Sequence, residues 1–375
     1  MKILFEPARI KQMVIPNRFV RSATYDGMAG PDGHVSDPQV RLISDLAAGG
    51  IGLIIHAITY VHSSGQVSGF MNSLAEDACI NGMRDLTAAA HRRGAKIAIQ
   101  LFHGGREARF VKTKNQLPMA PSVIESDPYY RGSCREMNED DILSVIAAFG
   151  DAAGRAKDAG FDAVQIHGAH GYLFSQFLSP FTNRRSDAWG GTLENRLRLH
   201  REVCLAMRRQ VGEDYPILIK LGVEDGFPEG LEFSEGLLAA RILAESGFDS
   251  LEISSGVRGK KYEGTEYRTK INQTREGYFR DWAGRVRQQV DKPVMAVGGF
   301  RTMKMMETLV RQNDADFVSL CRPLIAEPDL IRRWGNDPDI RPVCVSCNLC
   351  LELLHKGGAL HCVMLRKRAK KTSAR

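Results

Sequence analysis

The stretch His167-Gly-Ala-His-Gly-Tyr172 sets two imidazoles three residues apart, with a phenol two residues further on, at the end of an apolar run. From such a place both rings can face one cavity and donate hydrogen bonds to an oxygen that gathers negative charge. A tyrosine of ordinary pKa, about 10, is protonated at neutral pH and can serve as a general acid. A second concentration of chemistry lies late in the chain. Cys344, Cys347, Cys350 and Cys362 are spaced C-x2-C-x2-C-x11-C, a pattern open to an iron–sulfur cluster, to zinc, or to a set of free thiols.

These residues need a scaffold, and the apolar patterning supplies one. Short β-branched runs at 18–22, 51–56, 96–101, 162–167, 217–221, 250–254, 294–297 and 316–320 read as strands buried on both faces. Between and after them, helical periodicity fills 38–48, 77–93, 139–159, 193–211, 234–246, 278–290, 302–311 and 328–334. Eight strand–helix units fit a (β/α)8 TIM barrel better than a doubly wound sheet, and no G-x-G-x-x-G follows the first strand. In such a barrel chemistry gathers after the carboxyl ends of the strands. The residues there are Ala23 to Tyr25, Ala57, Gln100 with His103, His167 with His170, Lys220, Ser255, Gly298 with Gly299, and Cys321 with Arg322. The last two pairs follow strands seven and eight, where barrels commonly hold phosphate, and Arg322 offers a bidentate partner. The long connections 104–137 and 258–275 read as lids.

The run continuing from Tyr172 as QFLSPFTNRRSDAWGGTLENRLRLHREV, together with QLFHGGR at 100–106, closely resembles the Old Yellow Enzyme family of FMN-dependent oxidoreductases. The resemblance spans residues 3–340 in order, through NRFVRSAT, GGIGLII, GVEDGFPEG, PVMAVGGF and ADFVSLCRPLIAEPDL. It implies a barrel that holds FMN noncovalently and passes hydride from NAD(P)H to an electron-poor substrate, commonly an activated alkene. His167 and His170 would then polarise a substrate oxygen while Tyr172 protonates the α-carbon. Ala23, Thr24 and Tyr25 would lie along the flavin, Tyr25 where relatives carry Thr, Cys or His, and Ala57 would be a small residue beneath it. Gln100 would bond the pyrimidine edge and Lys220, where many members have Arg, would set a cation against N1 and O2. An alternative pairs Lys220 with Glu224 or Asp225. Gly298, Gly299, Cys321 and Arg322 would hold the phosphate, although many relatives have glycine at position 321. Substrate choice would fall to Phe102, Tyr129, Tyr130, Arg131 and loop 258–275.

Longer relatives such as 2,4-dienoyl-CoA reductase carry a similar cysteine run around a [4Fe–4S] cluster, but with three residues between the second and third cysteines. In them the cluster receives electrons from a second flavodomain, which this sequence does not contain. The division expected is a barrel at 1–340, a cysteine segment at 341–363 and a basic, disordered tail at 364–375. Two other functions stay open: an electron-transfer partner subunit fed through the cysteines, and an amine dehydrogenase or demethylase.

Composition narrows the partners. The 375 residues are 43% hydrophobic and 25% charged, which excludes a disordered or fibrous chain. The net charge of +7 resides largely in six basic residues between Arg366 and Arg375, and without them it is +1. That balance argues against nucleic acid. The absence of a long apolar run or leader points to a cytoplasmic protein with no membrane partner, its thiols reduced. A small unsaturated molecule is the expected substrate, and a homo-oligomer is compatible with the sequence.

Overall fold

The computed structural model describes residues 2–130, 132–259, 268–272 and 274–367. Eight parallel strands close into one ring: β1 (Phe19–Arg21), β2 (Leu53–Tyr60), β3 (Lys96–Phe102), β4 (Ala163–Gly168), β5 (Ile217–Gly222), β6 (Ser250–Ser254), β7 (Val294–Val297) and β8 (Phe317–Leu320). Each pairs with its sequence neighbours, and β8 pairs with β1 to complete the barrel. Every expected strand is present within a few residues of its expected place, and the fold class is the one anticipated.

Around the ring lie α1 (Asp37–Ala48), α2 (Ile80–His91), α3 (Glu139–Asp158), α4 (Arg198–Val211), α5 (Phe233–Glu245), α6 (Arg280–Arg287), α7 (Met303–Arg311) and α8 (Leu330–Asn336). Local chemistry sets their ends. At α3 the Asn138 side chain accepts from the Asp141 amide at 2.8 Å and the Asp141 carboxylate accepts from the Asn138 amide at 2.9 Å, a capping box with three acids in the first turn. The expected helix at 278–290 starts two residues late, because the Tyr278 amide donates to the Gly298 carbonyl at 3.0 Å and is held on the loop after β7.

Strand alternation divides the interior into two layers. Val20, Leu53, Ile55, Ala98, Ala163, Leu218, Met295 and Phe317 form an apolar plug inside the ring, distinct from the larger core shared with the helices. A hairpin absent from the sequence reading, Ala8–Ile10 paired with Met13–Ile15, packs Ile10, Met13 and Ile15 onto that plug. Two residues further along those strands stand Ser22, Gln100, Gln165, Lys220 and Ser319, and Glu252 on β6 pairs in register with Lys220; all six are buried and polar. The barrel is thus dry and apolar at one end and polar at the other. Among the described residues no helix is long and apolar enough to cross a membrane. The tail beyond residue 367 lies outside the described residues.

Candidate active site

The polar end opens into a cavity of about 600 Å³. Ala23, Thr24, Tyr25, Gln100, His167, His170, Tyr172, Lys220, Gly299, Cys321 and Arg322 all line it, with Ile58 from β2 and Ser254 from β6, so eight strand ends that are distant in sequence meet there. Ala57 and Gly298 do not line it. Ala57 occupies the bulge in the β2–β3 ladder between His56 and Ile58, and Ile58 takes its place at the cavity wall.

Register builds the floor. Gln100 pairs with Gln165 across β3 and β4, and Lys220 pairs with Glu252 across β5 and β6. Gln100 Nε2 donates to Gln165 Oε1 at 2.6 Å, and Gln165 Nε2 donates to Glu252 Oε2 at 3.1 Å. Lys220 Nζ lies 3.3 Å from Glu252 Oε1 and donates to Ser22 Oγ at 2.7 Å. The cation is therefore balanced by Glu252, not by Glu224 or Asp225. Burying either charge alone would be costly, and the pairing offsets that cost. Gln165 and Glu252 escaped the sequence reading, although both are polar residues inside strands otherwise buried on both faces, in phase with Gln100 and Lys220.

The wall opposite comes from the loop after β4. His170 adopts φ +62°, Gly171 follows at φ +77°, and the His170 amide donates to the Ser255 carbonyl at 3.0 Å, which folds the loop back across β6. The Ala169 amide donates to His167 Nδ1 at 3.3 Å, so a neutral His167 carries its proton on Nε2. His170 Nε2 lies 2.8 Å from Ser254 Oγ, and burial holds this imidazole well below its ordinary pKa, with Lys220 and Arg258 adding to the effect. The two imidazole centroids are 4.9 Å apart and edge-on. The Tyr172 ring packs edge-on against His167 at 5.0 Å and against Phe102 at 4.6 Å. Tyr25 shares an apolar cluster with Tyr172, Ile58, Val67 and Phe102, and its hydroxyl lies 2.6 Å from Ser68 Oγ. Burial raises the Tyr25 pKa, so it too is a neutral phenol.

The expected specificity residues separate. Phe102 sits fully buried behind Tyr172. Tyr129 stacks on Phe227 at 4.1 Å, and the Tyr130 hydroxyl donates to the Arg106 carbonyl at 2.5 Å, so both support the loop after β3 instead of lining the cavity. That loop is pinned by the buried Arg106–Asp127 ion pair at 2.6 Å. Arg131 and residues 260–267 lie outside the described residues.

At the far end, Gly299 takes φ +76°, and a Cβ there would stand 2.8 Å from Tyr278 Cε1. The Arg301 and Thr302 amides before α7 donate to the buried Glu276 carboxylate at 2.7 and 2.9 Å. Thr24 Oγ1 lies 2.9 Å from Cys321 Sγ. Arg322 Nη1 donates to the Arg268 carbonyl and to Asn348 Oδ1, each at 2.6 Å. Asn348 belongs to the cysteine segment. Cys344, Cys347, Cys350 and Cys362 line one small cavity of about 30 Å³ together with Arg322. Burial, with Cys321 and Cys344 nearby, pushes the Cys350 thiol up to about 11. Among the described residues no three His, Cys, Asp or Glu side chains converge as metal ligands.

The donor set fits a flavin. The cavity has the volume of a small-molecule site. The Ser319 hydroxyl on its wall is buried with no partner among the described residues, the floor presents an amide and an ammonium, and glycine leaves room at the other end. A barrel of this build with such a cavity is that of a flavin-dependent oxidoreductase. Residues 3–337 match the NADH:flavin oxidoreductase / NADH oxidase family, and the chain belongs to it, as its motifs had indicated. An NADH oxidase of Thermoanaerobacter brockii is 35% identical over 349 residues, covering 92% of this chain, which spans only 53% of that relative. An NADPH dehydrogenase of Geobacillus sp. (strain WCH70) is 35% identical over 327 residues, 87% of this chain and 92% of the relative. Among solved structures, 2-naphthoyl-CoA reductase in complex with 2-naphthoyl-CoA superposes with a TM-score of 0.88 at 26% identity, over 96% of this chain and 56% of that one.

Proposed function

We propose that this chain binds FMN in the 600 Å³ cavity and reduces the C=C bond of α,β-unsaturated carbonyl or carboxyl compounds, using NADH or NADPH. The observation that carries the reading is the wall of His167, His170 and Tyr172 facing a cavity floored by Gln100 and Lys220. FMN, when bound, supplies the hydride. Gln100 and Lys220 would hold its pyrimidine edge, Ala23, Thr24 and Tyr25 would lie along it, and Gly299, Cys321 and Arg322 would border its phosphate.

The protein's own groups supply the rest. His167, with Nδ1 occupied by the Ala169 amide, presents Nε2–H to the substrate oxygen. His170 is kept neutral by burial and so retains a single N–H. Each donor aimed at the charge that develops on that oxygen contributes about 3–4 kcal/mol to the rate. Tyr172, protonated at neutral pH, gives its proton to the α-carbon, and the Phe102 and His167 contacts fix its ring.

The test is to purify the chain, measure bound flavin, and follow its visible absorbance anaerobically with NADH, NADPH and then 2-cyclohexenone or trans-cinnamate. About one FMN per chain, bleached by a nicotinamide and restored by the alkene, is the expected result. Flavin that bleaches only with an amine, or only with a separate flavoprotein present, would replace this reading with amine oxidation or electron-transfer service.

A further inference from the structure

The cysteine segment contacts the far end of the cavity through its polar side chains and backbone. It grips the two arginines that end the loops after β7 and β8. Arg301 donates to the Cys344 carbonyl and to Ser346 Oγ, and Arg322 donates to Asn348 Oδ1 at 2.6 Å. Ser346 and Arg322 line both the 600 Å³ cavity and the thiol-lined one, so they form the wall between them. Ser346 at φ +52° and Asn348 at φ +60° flank Cys347 in left-handed conformations, and the resulting bend turns the Asn348 amide inward. Asparagine tolerates that conformation better than most residues do.

We propose that Asn348 is a positioning residue for the cofactor phosphate: it fixes the Arg322 guanidinium, and so the cysteine segment sets how strongly the cavity discriminates a phosphorylated flavin. This rests on the reading that Arg322 borders the FMN phosphate. A guanidinium has five N–H donors, and with Nη1 occupied by two fixed oxygens the remaining donors are held in one orientation. Removing the Asn348 acceptor frees the side chain to rotate, and the ordering cost then falls on phosphate binding. The isoalloxazine end of the site, which Gln100 and Lys220 would serve, belongs to other strands and does not depend on Asn348.

The experiment compares two ligands that differ only by the phosphate. Dissociation constants of FMN and riboflavin are measured by fluorescence quenching on flavin-free protein, for the parent, Asn348→Gly and Arg322→Ala. Glycine removes the amide and accepts the left-handed backbone without strain. Asn348→Gly should weaken FMN about 3- to 10-fold, the range of one lost hydrogen bond, with riboflavin unchanged. Arg322→Ala should reduce FMN affinity by a larger factor, again sparing riboflavin. Equal losses for both ligands in Asn348→Gly would show a general structural role and overturn the proposal, as would unchanged FMN affinity. If Arg322→Ala leaves the FMN-to-riboflavin ratio at the parent value, the phosphate lies elsewhere and that part of the functional reading fails, while quenching by both ligands would keep the flavin site itself.

Discussion

The two ends of the barrel use the same strands and solve opposite problems. At the closed end, Val20, Ala98, Leu218, Met295 and Phe317 fill the ring with hydrocarbon, and shape alone decides whether they fit. Two residues later four of these strands carry Ser22, Gln100, Lys220 and Ser319, and hydrogen bonding decides. The closed end is complete in itself. The open end is complete along Gln100, Gln165, Glu252, Lys220 and Ser22, yet leaves the buried Ser319 hydroxyl at the cavity with no partner among the described residues. A polar layer that is rigid where protein meets protein and unsatisfied where it meets the cavity is one arranged for a ligand.

The largest effect expected from breaking this contrast is at the open end. Lys220→Met leaves the Glu252 carboxylate buried without its cation and should cost about 3–5 kcal/mol, read from urea unfolding of flavin-free protein. Adding Glu252→Gln should recover most of that loss. If the double variant is no more stable than the single one, the pair is not what holds the floor.

At the closed end, Leu218→Ala should cost about 2–5 kcal/mol as a cavity and should leave the FMN-to-riboflavin ratio untouched. A change in that ratio would mean that the two layers are not independent.

A smaller effect comes from His200 on α4, outside the ring. Among the described residues neither buried ring nitrogen has a partner, the ring packs beside Phe174, and burial lowers the pKa to about 3. The folded state therefore binds fewer protons than the unfolded one, so the contribution to stability is intact above pH 6.5 and is lost as pH falls from there toward 3. His103, lowered to about 3 by burial and by His62, acts in the same direction. His200→Phe should flatten the pH dependence by about 2 kcal/mol between pH 7 and pH 5. An unaltered slope would show that His200 does not carry it.

How much of this was legible in the sequence differs between the two ends in the same way. All eight strands could be found because strands buried on both faces stand out as short β-branched runs between helical periods. The residues at their carboxyl ends could be found because barrel geometry says where to look, and the family resemblance gave them roles. Glu252 and Gln165 were missed because their partners are set by register and by reach across the ring, which no local pattern records. The hairpin 8–15 was missed because its strands are three residues each. Asn348 was invisible as a partner of Arg322, since 26 residues and a left-handed turn separate them. Tyr129 and Tyr130 were misjudged because an aromatic in a long loop is as able to anchor the loop as to face a substrate.

Tyr172 has a part that is separable from everything that precedes protonation. In Tyr172→Phe, NAD(P)H oxidation with oxygen as acceptor should proceed at the parent rate, and binding of a phenol-type ligand by His167 and His170 should survive. Turnover of an α,β-unsaturated carbonyl compound should fall by about 10²- to 10⁴-fold, as expected for a lost general acid. Alkene reduction by Tyr172→Phe at the parent rate would contradict the account, placing the proton donor elsewhere on the cavity wall.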